Sequence, residues 1–235
     1  MRLALPLFLL ALAACDAGGP VVPGELPTLA PEQEAAARED AAQLALRHQL
    51  AVARDSATVE LPGDLVQGLY AALVRARASA AGGLVADVHT FPYLSTHEVM
   101  VTAVPGATWT AGWREGRALT GYAPVDSLVR RYGLTLRSFH DFSFGDTAVL
   151  RSETPLNTVA LGRLFGRAPE VRSGSSHATG GDGDDIRAER LDGAWRLAFS
   201  VGSGDCPAGC TVRRTWTFRV SDGGEVAYLG ARGGR

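Results

Sequence analysis

The side chains with the clearest chemical potential lie in two short stretches near the C-terminal end. Gly180-Gly181-Asp182-Gly183-Asp184-Asp185 sets three carboxylates on a glycine-rich loop, and Asp205-Cys206-Pro207-Ala208-Gly209-Cys210 sets two thiols around a turn. Carboxylate oxygens suit hard cations, so Asp182, Asp184 and Asp185 are candidate calcium ligands, and a calcium-dependent binding module is one alternative function. A single such loop is too little for a calcium-binding β-roll, and Arg187 stands where that repeat wants an apolar residue. Asp and Gly are also what a tight turn before a strand requires, so the structural turn is the preferred reading. No metal and no cofactor is assigned. Three residues lie between the two thiols, whereas the usual redox pair has two between them.

The histidines offer less. His97-Glu98 opens like a zinc-protease signature, but the position four residues after His97 is Val101, in a strand-like stretch. His89 and His97 could meet across a hairpin, with no third ligand evident. Gly174-Ser175-Ser176-His177 lacks the strand-elbow-helix context of a nucleophilic serine. His140 and Asp141 are neighbours on a strand-like run, so their side chains point to opposite faces. Neither a phosphate-binding loop nor a dinucleotide fingerprint occurs, and no catalytic residue is assigned. An envelope hydrolase acting on cell-wall or carbohydrate material is the alternative, to be supported by a polar pocket containing His140 or His177.

The elements that must position these groups follow from periodicity. After Cys210, Val212, Trp216, Phe218 and Val220 alternate onto one face of a strand, with Arg214 interrupting the apolar row. Ile186 to Leu191, the Asp192-Gly193 turn, the run Trp195, Leu197, Phe199, Val201, and Glu225 to Leu229 complete an antiparallel meander of four strands with one apolar face. Upstream, Pro31 with Glu32 and Glu34 begins a helix whose stripe is Ala37, Ala41, Leu44, His48, Ala51 and Val52. A second helix carries Leu65, Val66, Leu69, Tyr70, Leu73 and Val74, with Asp64 as its expected cap. Asp126 and Asn157 are expected to cap two short helices ended by Gly133 and Gly166, hinting at a helix-strand-strand duplication. Strands are expected at 85–89, 97–104, 134–142 and 147–152, with a shorter one at 58–61. The fold class is α+β: an antiparallel meander sheet with helices on one face, preceded by an N-terminal helix. Phe91-Pro92-Tyr93-Leu94 is an apolar loop that needs a core or a partner. Trp109 and Trp113 read either as packing or as a platform. Phe91, Tyr93, Trp109 and Trp113 are therefore the candidate contact residues.

Composition bounds the function. The chain has 235 residues, 46% hydrophobic and 20% charged, the balance of a folded globular protein. All 23 basic residues are arginine, scattered along the chain, and the net charge is −2, so nucleic acid is not expected as a partner.

At the N-terminus Arg2 precedes an apolar run from Leu3 to Ala14, too short to span a bilayer but suited to an export signal. Its end, Leu12-Ala13-Ala14-Cys15, resembles the lipobox of bacterial lipoproteins. That resemblance implies lipidation of Cys15, a mature chain beginning there, and a place in the bacterial cell envelope, facing the periplasm or the exterior. Acyl chains would make the membrane a partner, since each buried methylene contributes about 0.8 kcal/mol. With Cys15 acylated, Cys206 and Cys210 remain as an exported pair, for which a structural disulfide is expected. The expected organisation is a signal peptide at 1–14, lipidated Cys15 and a flexible linker to 30, a helix at 31–54, and an α+β domain at 55–232. The acidic loop, the Gly204-Asp205-Cys206-Pro207-Ala208-Gly209-Cys210 turn and the aromatic strand after it are similar to a group of uncharacterised bacterial envelope lipoproteins, which implies export and a paired cysteine turn. The expected role is non-catalytic, either structural or binding a protein or glycan partner in the envelope.

Overall fold

The computed structural model describes residues 24–52 and 58–234. Cys15, the signal segment 1–14 and the linker up to residue 23 lie outside the described residues, and no helix among those described is long and apolar enough to cross a membrane. The described residues form five α-helices and two four-stranded antiparallel sheets, an α+β fold.

The C-terminal meander forms as its alternation dictates. Strands β5 (Asp185–Leu191), β6 (Ala194–Ser203), β7 (Val212–Ser221) and β8 (Val226–Gly233) pair in sequence order. Leu191 pairs with Ala194 across the two-residue Asp192-Gly193 turn, where Gly193 takes the positive φ that favours glycine. Trp195, Leu197, Phe199, Trp216, Phe218 and Val220 are buried on one face. Arg214 reaches the rim and lays its guanidinium over the Trp216 ring, 5.1 Å from its centre.

Helices α1 (Pro31–Val52) and α2 (Gly63–Ala78) cover that face, with Ala37, Ala41, Leu44 and Leu69 packed in one cluster with Ile186, Leu197, Phe199 and Phe218. The expected N-terminal helix is present and packs into the core as a layer of the domain. Its middle, Asp40 to Leu46, is buried all round. The expected stripe holds only as far as Leu44, for Ala51 and Val52 are exposed.

A second sheet exists beyond the one meander expected. Strands β1 (Leu94–Ala103), β2 (Thr135–Phe142), β3 (Gly145–Arg151) and β4 (Val171–Ala178) take the order β2-β3-β1-β4. Between them lie α3 (Ala111–Arg114), α4 (Ala123–Arg131) and α5 (Thr158–Phe165). Its core joins Val99, Val101, Leu150, Leu161 and Phe165. Because β4 returns to pair with β1, the helix-strand-strand duplication does not exist.

Local expectations fared unevenly. Asn157 does cap α5, its side chain accepting from the Ala160 amide at 3.0 Å. Asp64 and Asp126 are not caps. Asp64 lies inside the first turn of α2, and Asp126 lies within α4, buried, accepting from the Thr120 and Gly121 amides of the preceding loop. Residues 58–61 provide one isolated bridge, Glu60 to Leu156. Residues 85–89 form no strand: Arg77 and Asp40 take their backbone groups instead, at the Val88 carbonyl and the neighbouring Thr90 amide.

Candidate binding groove

The C-terminal half of α1 borders a groove between the two sheets. Arg47 and Leu94 divide it into two lobes. One, about 460 Å³, is lined by Gln43, His48, Tyr93, Asp185 and Ala188. The other, about 680 Å³, is lined by Leu50, Ala51, Val159, Arg163, Ser175 and Ser176. Both are of a size that takes a small ligand or a short peptide segment.

The first lobe owes its wall to the acidic loop. Asp185 is buried and accepts from Arg47 Nη1 at 2.9 Å and from the Phe91 amide at 3.0 Å. Arg47 also donates to the carbonyls of Ile186 and Phe91, at 2.8 and 2.5 Å. A guanidinium fork thereby ties α1, β5 and the Phe91–Leu94 loop together. Asp182 works one step outward, accepting from Arg213 at 2.6 Å, from the Tyr93 hydroxyl at 3.1 Å, and from the Gly183 and Cys210 amides. Its own amide donates to the Cys206 carbonyl. Cys206 and Cys210 are disulfide-bonded, their Cα atoms 3.9 Å apart, so the cysteine turn and the acidic loop brace one another. Gly183 packs closely on the aromatic loop: a Cβ there would meet the Phe91 ring at 3.0 Å, and the ring would have to give by a few tenths of an ångström.

The electrostatics follow from these contacts. The Arg213 guanidinium, helped by the Gly183 and Cys210 amides and the Tyr93 hydroxyl, holds the Asp182 carboxyl well below the usual carboxylate range. Burial, then the hydrogen bond to Asp182, pushes the Tyr93 phenol up. Asp182→Ala is therefore expected to bring the Tyr93 phenol back towards the ordinary tyrosine range, read by ultraviolet titration against a Tyr93→Phe reference. An unmoved phenol would mean that burial alone sets it.

The three carboxylates of the acidic loop do not converge on one point. Asp182 turns to Arg213, Asp184 accepts from the Gly202 amide at 3.0 Å, and Asp185 turns to Arg47. Among the described residues no group of three or more His, Cys, Asp or Glu side chains could hold a metal ion.

Of the expected contact residues, the structure brings two to this site. Tyr93 lines the groove, and Phe91 packs beside it with ring centres 4.6 Å apart. Trp109 and Trp113 lie in the other core. Trp113 is buried, with its ring nitrogen donating to the Ala118 carbonyl, and Trp109 meets it edge-on while stacking on Tyr122. Trp113 is thus a core residue rather than a contact surface, buried in the same cluster as Val125 and Val129 of α4. Arg47, Leu50, Val159 and Arg163 had no signal in the sequence beyond ordinary helical positions.

The histidines act as links. His97 bonds Glu39 of α1 at 3.0 Å and the Ser152 carbonyl at 2.9 Å, His89 bonds Asp40 at 2.9 Å, and His177 bonds Glu98 at 3.0 Å. His89 and His97 turn to adjacent carboxylates of α1 rather than to each other. His140 stacks on Phe142.

The chain matches no family model, no curated protein and no solved structure.

Proposed function

We propose that this is a lipid-anchored protein of the bacterial cell envelope whose folded part binds a partner, without catalysis, in the groove along α1. The observation that carries the binding role is the clamp of Arg47, Asp185 and Asp182, which fixes the aromatic loop and so shapes the groove before any partner arrives. Pre-ordered walls remove an entropic cost from association. The envelope location is supported by the Leu12-Ala13-Ala14-Cys15 sequence, and the cysteine pair suits an oxidising compartment. A photocrosslinking residue placed at the exposed Ala51 in intact envelopes is expected to capture a discrete partner that the same residue at Arg137, on the far edge of the second sheet, does not. In the same preparation the mature N-terminus should be an acylated Cys15. An unprocessed or acyl-free N-terminus would reject the anchor, and equal capture at both positions would reject the groove.

A further inference from the structure

The two sheets keep separate cores. The meander packs with α1 and α2 around Leu69, Leu197 and Phe218, and the second sheet packs with α3, α4 and α5 around Val101, Leu150 and Phe165. Ala42 and Leu46 of α1 are buried, yet they belong to neither cluster. Polar side chains bridge the two halves. Glu39, Gln43 and Arg47 recur one helical turn apart along α1, and each reaches across to β1 or to the loop before it. Glu39 accepts from Thr96 Oγ1 at 2.7 Å and meets His97 Nε2 at 3.0 Å, Gln43 donates to the Leu94 carbonyl at 2.9 Å, and Arg47 donates to the Phe91 carbonyl. Gln43 and Leu94 both line the smaller lobe of the groove, so this row of bonds sets the spacing of its walls.

Of these bonds, only Glu39 to His97 joins two titratable groups. Both ring nitrogens of His97 face acceptors: Nε2 the Glu39 carboxylate, and Nδ1 the Ser152 carbonyl at 2.9 Å. A neutral imidazole carries a single N–H, so it satisfies one of these oxygens and turns a lone pair to the other. Only the imidazolium donates to both. The geometry therefore selects the protonated ring, and the surrounding charges agree. The hydrogen bond to Glu39 comes first in raising the ring above the ordinary imidazole value, with burial and Arg151 of β3 opposing it. Arg151 is itself engaged by Glu98 at 2.9 Å, and Asp40, next to Glu39, turns to Arg77.

We infer that Glu39 and His97 form a proton-operated latch between the two sheets, closed while His97 is an imidazolium and released when it loses its proton, and that this latch governs binding in the groove. Release turns a nitrogen lone pair against either the Glu39 carboxylate or the Ser152 carbonyl, and the first of the three bridges parts. Gln43, one turn further on, then holds the Leu94 carbonyl against a loosened wall. A groove whose walls are no longer fixed binds more weakly, since association must first order them. The partner is therefore held on the acid side and let go as pH rises through the folded His97 value. This regulation rests on the groove being the binding site, and it is independent of how the chain reaches the membrane.

The test follows the histidine rings of the full-length protein by nitrogen NMR, together with exchange of the Gln43 carboxamide protons corrected for its intrinsic pH dependence, from about pH 5.5 to about pH 9. His97 is expected to carry protons on both ring nitrogens at the acid end, and Gln43 exchange to quicken about fivefold as the ring titrates. Glu39→Gln keeps the shape of the bridge and lets its carboxamide donate to a neutral ring while Nδ1–H still reaches Ser152. The Gln43 profile of that variant should be flat, whereas His177→Gln, which removes a separate bond to Glu98, should leave the profile unchanged. Capture by the photocrosslinking residue at Ala51 is expected to fall over the same pH interval, and to hold steady when Glu39→Gln is added. The latch is rejected if His97 is neutral throughout, if Gln43 exchange ignores its titration, or if Glu39→Gln leaves the profile as it was. A responding Gln43 with constant capture rejects the regulation and leaves the groove as the site. No capture at any pH rejects the groove itself, while the ring and carboxamide readings still decide the latch.

Discussion

Asp40→Ala is expected to destabilise the protein by about 3–5 kcal/mol, the cost of leaving a buried guanidinium without its counter-charge. Asp40 is 2% exposed, and the Arg77 side chain beside it is 9% exposed, with Nη2 at 2.7 Å from the carboxylate. The same carboxylate accepts from the Thr90 amide and hydroxyl and from His89, so one side chain on α1 secures the 88–90 segment and the end of α2. Arg77 Nε has no partner among the described residues, which leaves this guanidinium more dependent on its bonds to Asp40 and the Val88 carbonyl. Replacing both partners, Asp40→Leu with Arg77→Met, should therefore cost less than Asp40→Ala alone, since no charge is left stranded. Denaturant midpoints decide it. A loss below about 1 kcal/mol for the single variant would show that Arg77 finds water or another acceptor.

The same region sets the pH response from both sides. Burial raises the Asp40 pKa, but the bonds from His89, Thr90 and Arg77 outweigh it, and the folded value lies below the ordinary one. Its stabilising contribution is then present above the unfolded carboxylate pKa and lost as pH falls through the lower folded value. His97 is shifted the other way, raised first by its hydrogen bond to Glu39. Its contribution is complete below the unfolded imidazole pKa and lost as pH rises through the folded one. Adjacent carboxylates on one helix thus give the protein a loss of stability as pH falls through the folded Asp40 value and another as pH rises through the folded His97 value.

How far these features were legible depends on whether they are local. The C-terminal meander could be read because Trp195, Leu197 and Phe199, then Trp216, Phe218 and Val220, alternate without error around an Asp-Gly turn. Asn157 could be read because a cap acts on its own next turn. The second sheet could not be ordered, since nothing local says that β1 takes β3 on one side and β4, arriving much later, on the other. The all-round burial at the middle of α1 was hidden because Asp40 and Gln43 look like surface residues until Arg77 and the Leu94 carbonyl are placed against them. The acidic loop read as a turn in preference to a cation site, but its sequence could not say which groups its carboxylates would meet. The donors that decide it, Arg47 and Arg213, come from far along the chain. Phe91 and Tyr93 stood out as an apolar loop. Trp109 and Trp113 stood out for the same reason, yet only packing distinguishes a lining ring from a buried one.

Gly162→Val is expected to produce a comparably large loss, about 3 kcal/mol or more, through overpacking at a contact that has no flexible side to give way. A Cβ at Gly162 would lie 2.7 Å from the Ser175 Cα and 2.8 Å from its nitrogen, and a Cβ at Gly174 would lie 2.9 Å from the Phe165 Cβ and closer still to the Gly162 carbonyl oxygen. Both atoms struck first are backbone, so relief requires α5 to lift from β4. Neither glycine has a positive φ, so steric room and not backbone conformation explains them. Lifting the helix would open the packing of Leu161 and Phe165 and move Val159 and Arg163 away from the strand edge. Gly174→Val should act through the same separation, so the double variant should lose clearly less than the sum of the two single losses. Additive losses would mean that the two glycines serve different contacts, and a near-neutral Gly162→Val would show that α5 does not rest on the strand backbone.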